Sequence, residues 1–183
     1  MQELKQRLAR LLLEKSYIEG EVVLTSGKKS DYYFDCKPTA LHPEGSYLLG
    51  NIFLSMLNPD IEAVAGITLG GDPLVTSITL VSYLKKRPIP ALIVRKEPKG
   101  HGTNRFIEGI SNVGEKASVA LVEDVVTTGG SVLRACKAIE DAGFKIGQIL
   151  CVLDREEGGY ENIEKAGYKL TPIFTRGELL ASK

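Results

Sequence analysis

Lys116-Ala-Ser-Val-Ala-Leu-Val-Glu-Asp-Val-Val-Thr-Thr-Gly-Gly-Ser-Val-Leu133 is the stretch that decides the fold. Residues 117–122 are short, apolar and β-branched, which reads as a buried strand. Glu123 and Asp124 follow, so two carboxylates are expected at the strand's carboxyl end, with Val125 and Val126 after them. Thr127-Thr128-Gly129-Gly130-Ser131 makes a turn of hydroxyls and glycines. Val132, Ala135, Cys136 and Ile139 then recur at the spacing of an amphipathic helix. Glycines let the backbone approach an anion, and the free N–H groups of a helix start point at it. The carboxylates would repel that anion, so they are expected to serve sugar hydroxyls or a magnesium ion instead. A dinucleotide fingerprint is absent, since no Gly-x-Gly-x-x-Gly follows a strand. No Gly-Lys-Ser/Thr follows the turn either, which excludes a Walker loop.

Outward from this stretch, strands alternate with helices. Leu4, Leu8, Leu11 and Leu12 predict a helix over about residues 2–15, and β-rich pieces flank Ser26-Gly27 as a hairpin. A helix follows Pro43, a strand covers 62–67, and Thr68-Leu-Gly-Gly-Asp-Pro73 leads into a helix ending near Lys86. Further strands are expected at 90–94, 146–153 and 168–174, with helices near 157–166 and at the terminus. This alternation implies an α/β fold with a central, mostly parallel sheet and helices on both faces. The first ~45 residues fall outside the pattern and are expected to form a small cap, or hood, within a single 1–183 domain. In such sheets ligands bind at the carboxyl ends of strands, which brings segments 68–73, 95–107, 123–131 and 154–159 to one site.

Composition narrows the class. A chain of 183 residues can build one well-developed core, and 43% hydrophobic with 25% charged residues is ordinary for a soluble protein. The 23 basic and 23 acidic residues cancel, which argues against a general nucleic-acid binder. No apolar run approaches the ~20 residues that span a bilayer, and Met1-Gln-Glu-Leu-Lys5 carries no signal-peptide pattern. Cys36, Cys136 and Cys151 are odd in number and scattered, two of them lie in apolar segments and read as buried thiols, and a cytoplasmic setting is expected.

Residues 116–133 resemble the phosphoribosyl pyrophosphate (PRPP) signature of the type I phosphoribosyltransferases: apolar strand, two acids, two apolar residues, then Thr-x-Gly-x-Ser/Thr. Arg95-Lys96-Glu97-Pro98-Lys99-Gly100-His101-Gly102-Thr103, after a strand, resembles the catalytic loop of the orotate phosphoribosyltransferases within that family. Ser26-Gly27 through Tyr32-Tyr33-Phe34 and Leu153-Asp154-Arg155 are similar to two further segments of those enzymes. The resemblance runs nearly end to end. One departure is Thr25, where relatives often carry a lysine that contacts PRPP; Lys28 and Lys29 are the nearby cations.

The resemblance implies transfer of the ribose 5-phosphate group from PRPP to orotate, forming orotidine 5'-monophosphate and pyrophosphate in pyrimidine (UMP) biosynthesis. Val125 to Ser131 would hold the 5-phosphate, and Glu123 and Asp124 the ribose hydroxyls. Lys99, Arg95, Lys96 and His101 would bind PRPP and stabilise the departing pyrophosphate, with Asp124 offsetting charge on the sugar. Thr127, Arg155, Tyr33 and Phe34 would contact orotate. Magnesium would ride on PRPP, touching the protein at Asp124 if anywhere. A homodimer sharing the 95–107 loop between subunits is implied, with no nucleic acid and no membrane. Two other readings stay open: a purine phosphoribosyltransferase, which a panel of bases would separate, and a PRPP-binding regulator, which would be expected to lack the lysine loop or carry an added basic surface.

Overall fold

The computed structural model describes residues 1–23, 29–96 and 106–183. Helix α1 (Gln2–Lys15) leads to a two-stranded antiparallel pair, β1 (Tyr17–Val23) and β2 (Lys29–Phe34). A short α2 (Lys37–Ala40) and α3 (Pro43–Met56) precede the main sheet. There follow β3 (Ala63–Ile67), α4 (Gly71–Leu84), β4 (Ala91–Val94), β5 (Ile107–Glu108), β6 (Ser118–Val126), α5 (Gly130–Asp141), β7 (Lys145–Asp154), α6 (Gly159–Lys165), β8 (Leu170–Thr175) and α7 (Arg176–Leu180). The six-stranded sheet has the order β5-β4-β3-β6-β7-β8, parallel except for β5 at one edge. The expected alternation is therefore present; β5 and α2 were not expected, because so few residues show no periodicity.

Side chains of the central strands alternate between two cores. Val64, Ala120, Val122, Leu150 and Val152 pack with α1, α3 and α4, including Leu8, Leu12, Leu48, Ile52 and Ile78. Ala65, Val119, Leu121, Ile149 and Cys151 pack on the other face with Val132, Ala135, Cys136 and Ile139 of α5 and Ile163 of α6. All three cysteines are buried free thiols. Among the described residues no helix is long and apolar enough to cross a membrane.

The sheet's connections run outward in opposite directions from β3 and β6, which lie side by side. That is the topological switch point where open α/β sheets leave a crevice. Two glycines close one wall of it. A Cβ on Gly66 of β3 would stand 2.7 Å from the carbonyl oxygen of Gly71, and one on Gly71 would stand 2.7 Å from the Gly66 Cα. Only bare backbone lets the start of α4 sit this near its own strand. Gly66→Ala is expected to cost about 1–3 kcal/mol through overpacking, read as a lower urea midpoint with an unchanged slope.

Candidate active site

One expectation about the deciding stretch is corrected by its pairing. The strand does not stop at Val122: β6 continues through Glu123 and Asp124 to Val126. Its ladder with β3 ends at Val122 opposite Gly66, whereas its ladder with β7 runs on to Val126 opposite Asp154. The acid pair therefore lies on a strand held from one side only, with its other edge open to the turn after β3. Asp124 fills that gap. A Cβ on Gly70 would be 2.2 Å from Asp124 Oδ2, so the missing side chain of Gly70 is the space the carboxylate occupies. Val125 N donates to Asp124 Oδ1 at 2.8 Å, fixing the carboxylate's orientation.

Glu123 differs from its neighbour. It is 9% exposed, and its Oε2 is buried with no hydrogen-bond partner among the described residues. Burial raises its carboxyl well above the usual range; the charge of Asp124 and a hydrogen bond with it push the same way, and Lys96 opposes them. Cys151, opposite Glu123 on β7, and Cys36 are likewise pushed well up by burial.

The 127–131 turn is braced from behind. Gly129 has φ +78, and a Cβ there would meet the Gly159 carbonyl and Ile163 Cγ1, both at 3.1 Å. Asn162 Nδ2 donates to Thr128 O at 3.0 Å, so the start of α6 carries the turn. Gly129 N-caps α5 without a side-chain cap, which leaves the first-turn N–H groups aimed at an incoming anion. Arg134 adds a cation from one turn later, donating to Ser131 Oγ at 3.1 Å.

The strand ends to either side complete the crevice. Thr68 N donates to Val94 O, and Arg95 N donates to Phe106 O at 2.8 Å, so segment 95–107 leaves and rejoins the sheet beside the turn after β3. A hollow of about 450 Å³ is lined there by Thr68, Asp72, Arg95, Lys96 and Glu108. Arg95 reaches Glu108 Oε1 at 3.3 Å and Lys96 is exposed at the rim. Lys99 and His101 lie outside the described residues, as do Thr25 and Lys28. On the far side, Arg155 N donates to Val126 O at 3.0 Å, which ties Arg155 to the end of the acid-bearing strand. The Arg155 side chain is buried, and its guanidinium pairs with Glu157 at 2.8 Å.

The aromatic expectation is corrected in one respect. Tyr33 and Phe34 do not act as a pair, because adjacent strand residues face opposite ways. Phe34 is 6% exposed in the core beneath α1 and α3, while Tyr33 is 39% exposed. Tyr32, not singled out from the sequence, is the aromatic that meets Arg155. Gly70 and Asp72 lie in the expected 68–73 segment; unanticipated are Arg134 and Lys37, whose ammonium pairs with Asp35 at 2.6 Å.

Among the described residues no group of three or more His, Cys, Asp or Glu could cage a metal ion. The crevice offers isolated carboxylates, with Asp72 Oδ1 and Glu123 Oε2 buried and without hydrogen-bond partners among the described residues. That donor set fits a magnesium ion carried by substrate phosphates and not one held by the protein alone.

No protein-family model matches the chain. Whole-chain relatives do. The orotate phosphoribosyltransferase of Aquifex aeolicus is 47% identical over 182 residues, covering 96% of this chain and 97% of that protein. The enzyme of the same name from Nostoc sp. is 46% identical over 172 residues, covering 94% and 83%. Among solved structures, the Mycobacterium tuberculosis orotate phosphoribosyltransferase in complex with PRPP superposes with a TM-score of 0.79 at 33% identity, covering 96% of this chain and 98% of that one. With likeness at this level from end to end, the chain belongs to the orotate phosphoribosyltransferase family.

Proposed function

We propose that the crevice between β3 and β6 is where the chain carries out its family's reaction: PRPP and orotate give orotidine 5'-monophosphate and pyrophosphate, a step of UMP biosynthesis. The observation that carries this reading is the placement of Asp124 in the space left by Gly70, beside an uncapped helix start and Arg155. The 127–131 turn would bind the 5-phosphate through backbone N–H groups, with Arg134 adding charge. Asp124 would take the ribose hydroxyls and Glu123 would support it from below, its free Oε2 within the same strand end. Arg95, Lys96, Lys99 and His101 would face the pyrophosphate, and Arg155 and Thr127 the base. Magnesium carried by PRPP would supply neutralisation of charge on the leaving group, and Asp124 would be the residue to touch it.

Displacement at the anomeric carbon needs no strong protein base here. The base's ring nitrogen attacks, the bond to pyrophosphate breaks, and positive charge develops on the sugar. Orientation by the crevice and a fixed carboxylate near the sugar lower that barrier. Loss of orotate absorbance on adding PRPP and magnesium tests the assignment. Folded protein that binds PRPP yet leaves orotate unconsumed would overturn it.

One feature of the surface supports a homodimer. Leu41, Leu69 and Leu80 are exposed and line one depression of about 520 Å³ on the outer side of α2 and α4. It adjoins the turn after β3, since Leu69 and Asp72 line it too. We assign it to a second copy of the chain, with the 95–107 loop serving the neighbour's crevice and residues 1–45 capping the base pocket of one domain. Leu80→Glu should convert a dimer to monomer by light scattering and remove most activity with it. Unaltered mass would place the interface elsewhere.

A further inference from the structure

Tyr32, which meets Arg155, is not among the groups assigned to either substrate. Its side chain is 2% exposed and lies between the hood and the carboxyl ends of two sheet strands. The Arg155 Cζ stands 4.7 Å from its ring centroid, and the Arg176 Cζ 4.3 Å. Tyr17 stacks on it from the paired strand, with centroids 5.7 Å apart and planes 17° from parallel. Burial raises the Tyr32 hydroxyl's pKa, so the ring stays neutral across the physiological range and keeps its electron-rich faces.

Arg155 needs such a support. It is only 6% exposed, it pairs with Glu157, and its Nε is buried with no hydrogen-bond partner among the described residues. A guanidinium on a flexible stem takes its direction from the groups around its plane, which here are Glu157 and the hydroxyl and ring of Tyr32. A ring face beneath it restricts the plane of the fork, and planar alignment is what two-point recognition of a carboxylate requires. The alternation of β2 delivers the ring: with Phe34 turned into the core, Tyr32 on the same face is aimed at the ends of β7 and β8.

We propose that Tyr32 is a positioning residue for base selection, orienting Arg155 toward the carboxylate of the pyrimidine. The inference rests on the reading of Arg155 as the carboxylate's partner. It makes the hood hairpin part of substrate discrimination as well as a cover. Arg176, over the same ring from the first turn of α7, ties the C-terminal helix to that device.

The test compares binding of orotidine 5'-monophosphate with that of uridine 5'-monophosphate, which differs only in lacking the carboxylate. Calorimetry on the intact protein gives the ratio of the two dissociation constants. Arg155→Ala should collapse the ratio toward one. Tyr32→Leu should lower it roughly tenfold by weakening the carboxylated nucleotide alone. Tyr32→Phe, which keeps the ring, should restore it, and Tyr32→Leu should add nothing in the Arg155→Ala background. Tyr32→Met, apolar and of similar length but without a ring, answers the same question if the leucine variant does not fold. Equal weakening of both nucleotides by Tyr32→Leu would show a structural role only and overturn the proposal. If Arg155→Ala collapses the ratio and Tyr32→Leu does not, this inference falls and the reading of Arg155 stands. If Arg155→Ala leaves the ratio intact, both fall.

Discussion

Lys99→Ala should slow turnover by about 100- to 1,000-fold while leaving the KM for orotate nearly unchanged, as expected for a donor that acts where charge develops. Pyrophosphate gains negative charge as its bond to the sugar breaks, and a cation that meets it only then lowers the barrier without tightening ground-state binding. The described parts of the molecule set the stage for this. The hydrogen bond from Arg95 to Phe106 closes the base of the segment, and Lys96 lies close enough to the acid pair to oppose the rise in the Glu123 pKa. Arg95 is partly engaged by Glu108, which leaves Lys96 as the more available charge among the described residues of the segment. Lys99→Arg should recover part of the rate, since charge is kept and geometry is not. Steady-state kinetics at saturating orotate and PRPP measures it. The proposed sharing of the loop between subunits gives a second readout. Lys99→Ala and Asp124→Asn subunits, refolded together, should recover up to about a quarter of the wild-type rate, because half the dimers are then mixed and each has one complete site. No recovery would mean that the loop serves its own subunit.

Much of this arrangement could be read in the chain. The apolar periods of 2 and 3.6 placed the helices and the parallel strands, because each is buried along a face that the sheet imposes. The 127–131 turn was legible since its glycines mark a positive φ such as that of Gly129, and the acid pair because carboxylates in an apolar strand need a purpose. The end of β6 was not. Whether Glu123 to Val126 stay in the ladder depends on β7 being longer than β3, which is a property of neighbours and not of the stretch itself. The same limit hid Tyr32. In Tyr32-Tyr33-Phe34 every residue is aromatic, so alternation leaves two parities open, and the packing of Phe34 under α1 and α3 chooses between them. Gly70 reads as turn punctuation until Asp124 is seen occupying its missing side chain.

The two adjacent acids should respond to amide substitution in opposite ways. Asp124→Asn is expected to lower kcat/KM for PRPP by about 100-fold or more, since it removes charge-assisted hydrogen bonds to the ribose and the negative charge facing the sugar. Glu123→Gln should change kcat/KM by about threefold or less. Burial, the charge of Asp124 and their mutual hydrogen bond all favour the neutral form of the Glu123 carboxyl, and a neutral carboxyl offers one donor and one acceptor, as an amide does. Stability supplies an independent check with a definite sign. The folded pKa of Glu123 lies above its unfolded value of 4.5, so its contribution is complete below that pH and is lost as pH rises toward the folded value. Glutamine does not titrate. The melting temperature of Glu123→Gln should therefore gain on wild type as pH is raised above about 4.5. A variant whose deficit widens with pH would show that Glu123 is ionised in the fold, and the two carboxylates would have to be treated as equal partners of the ribose.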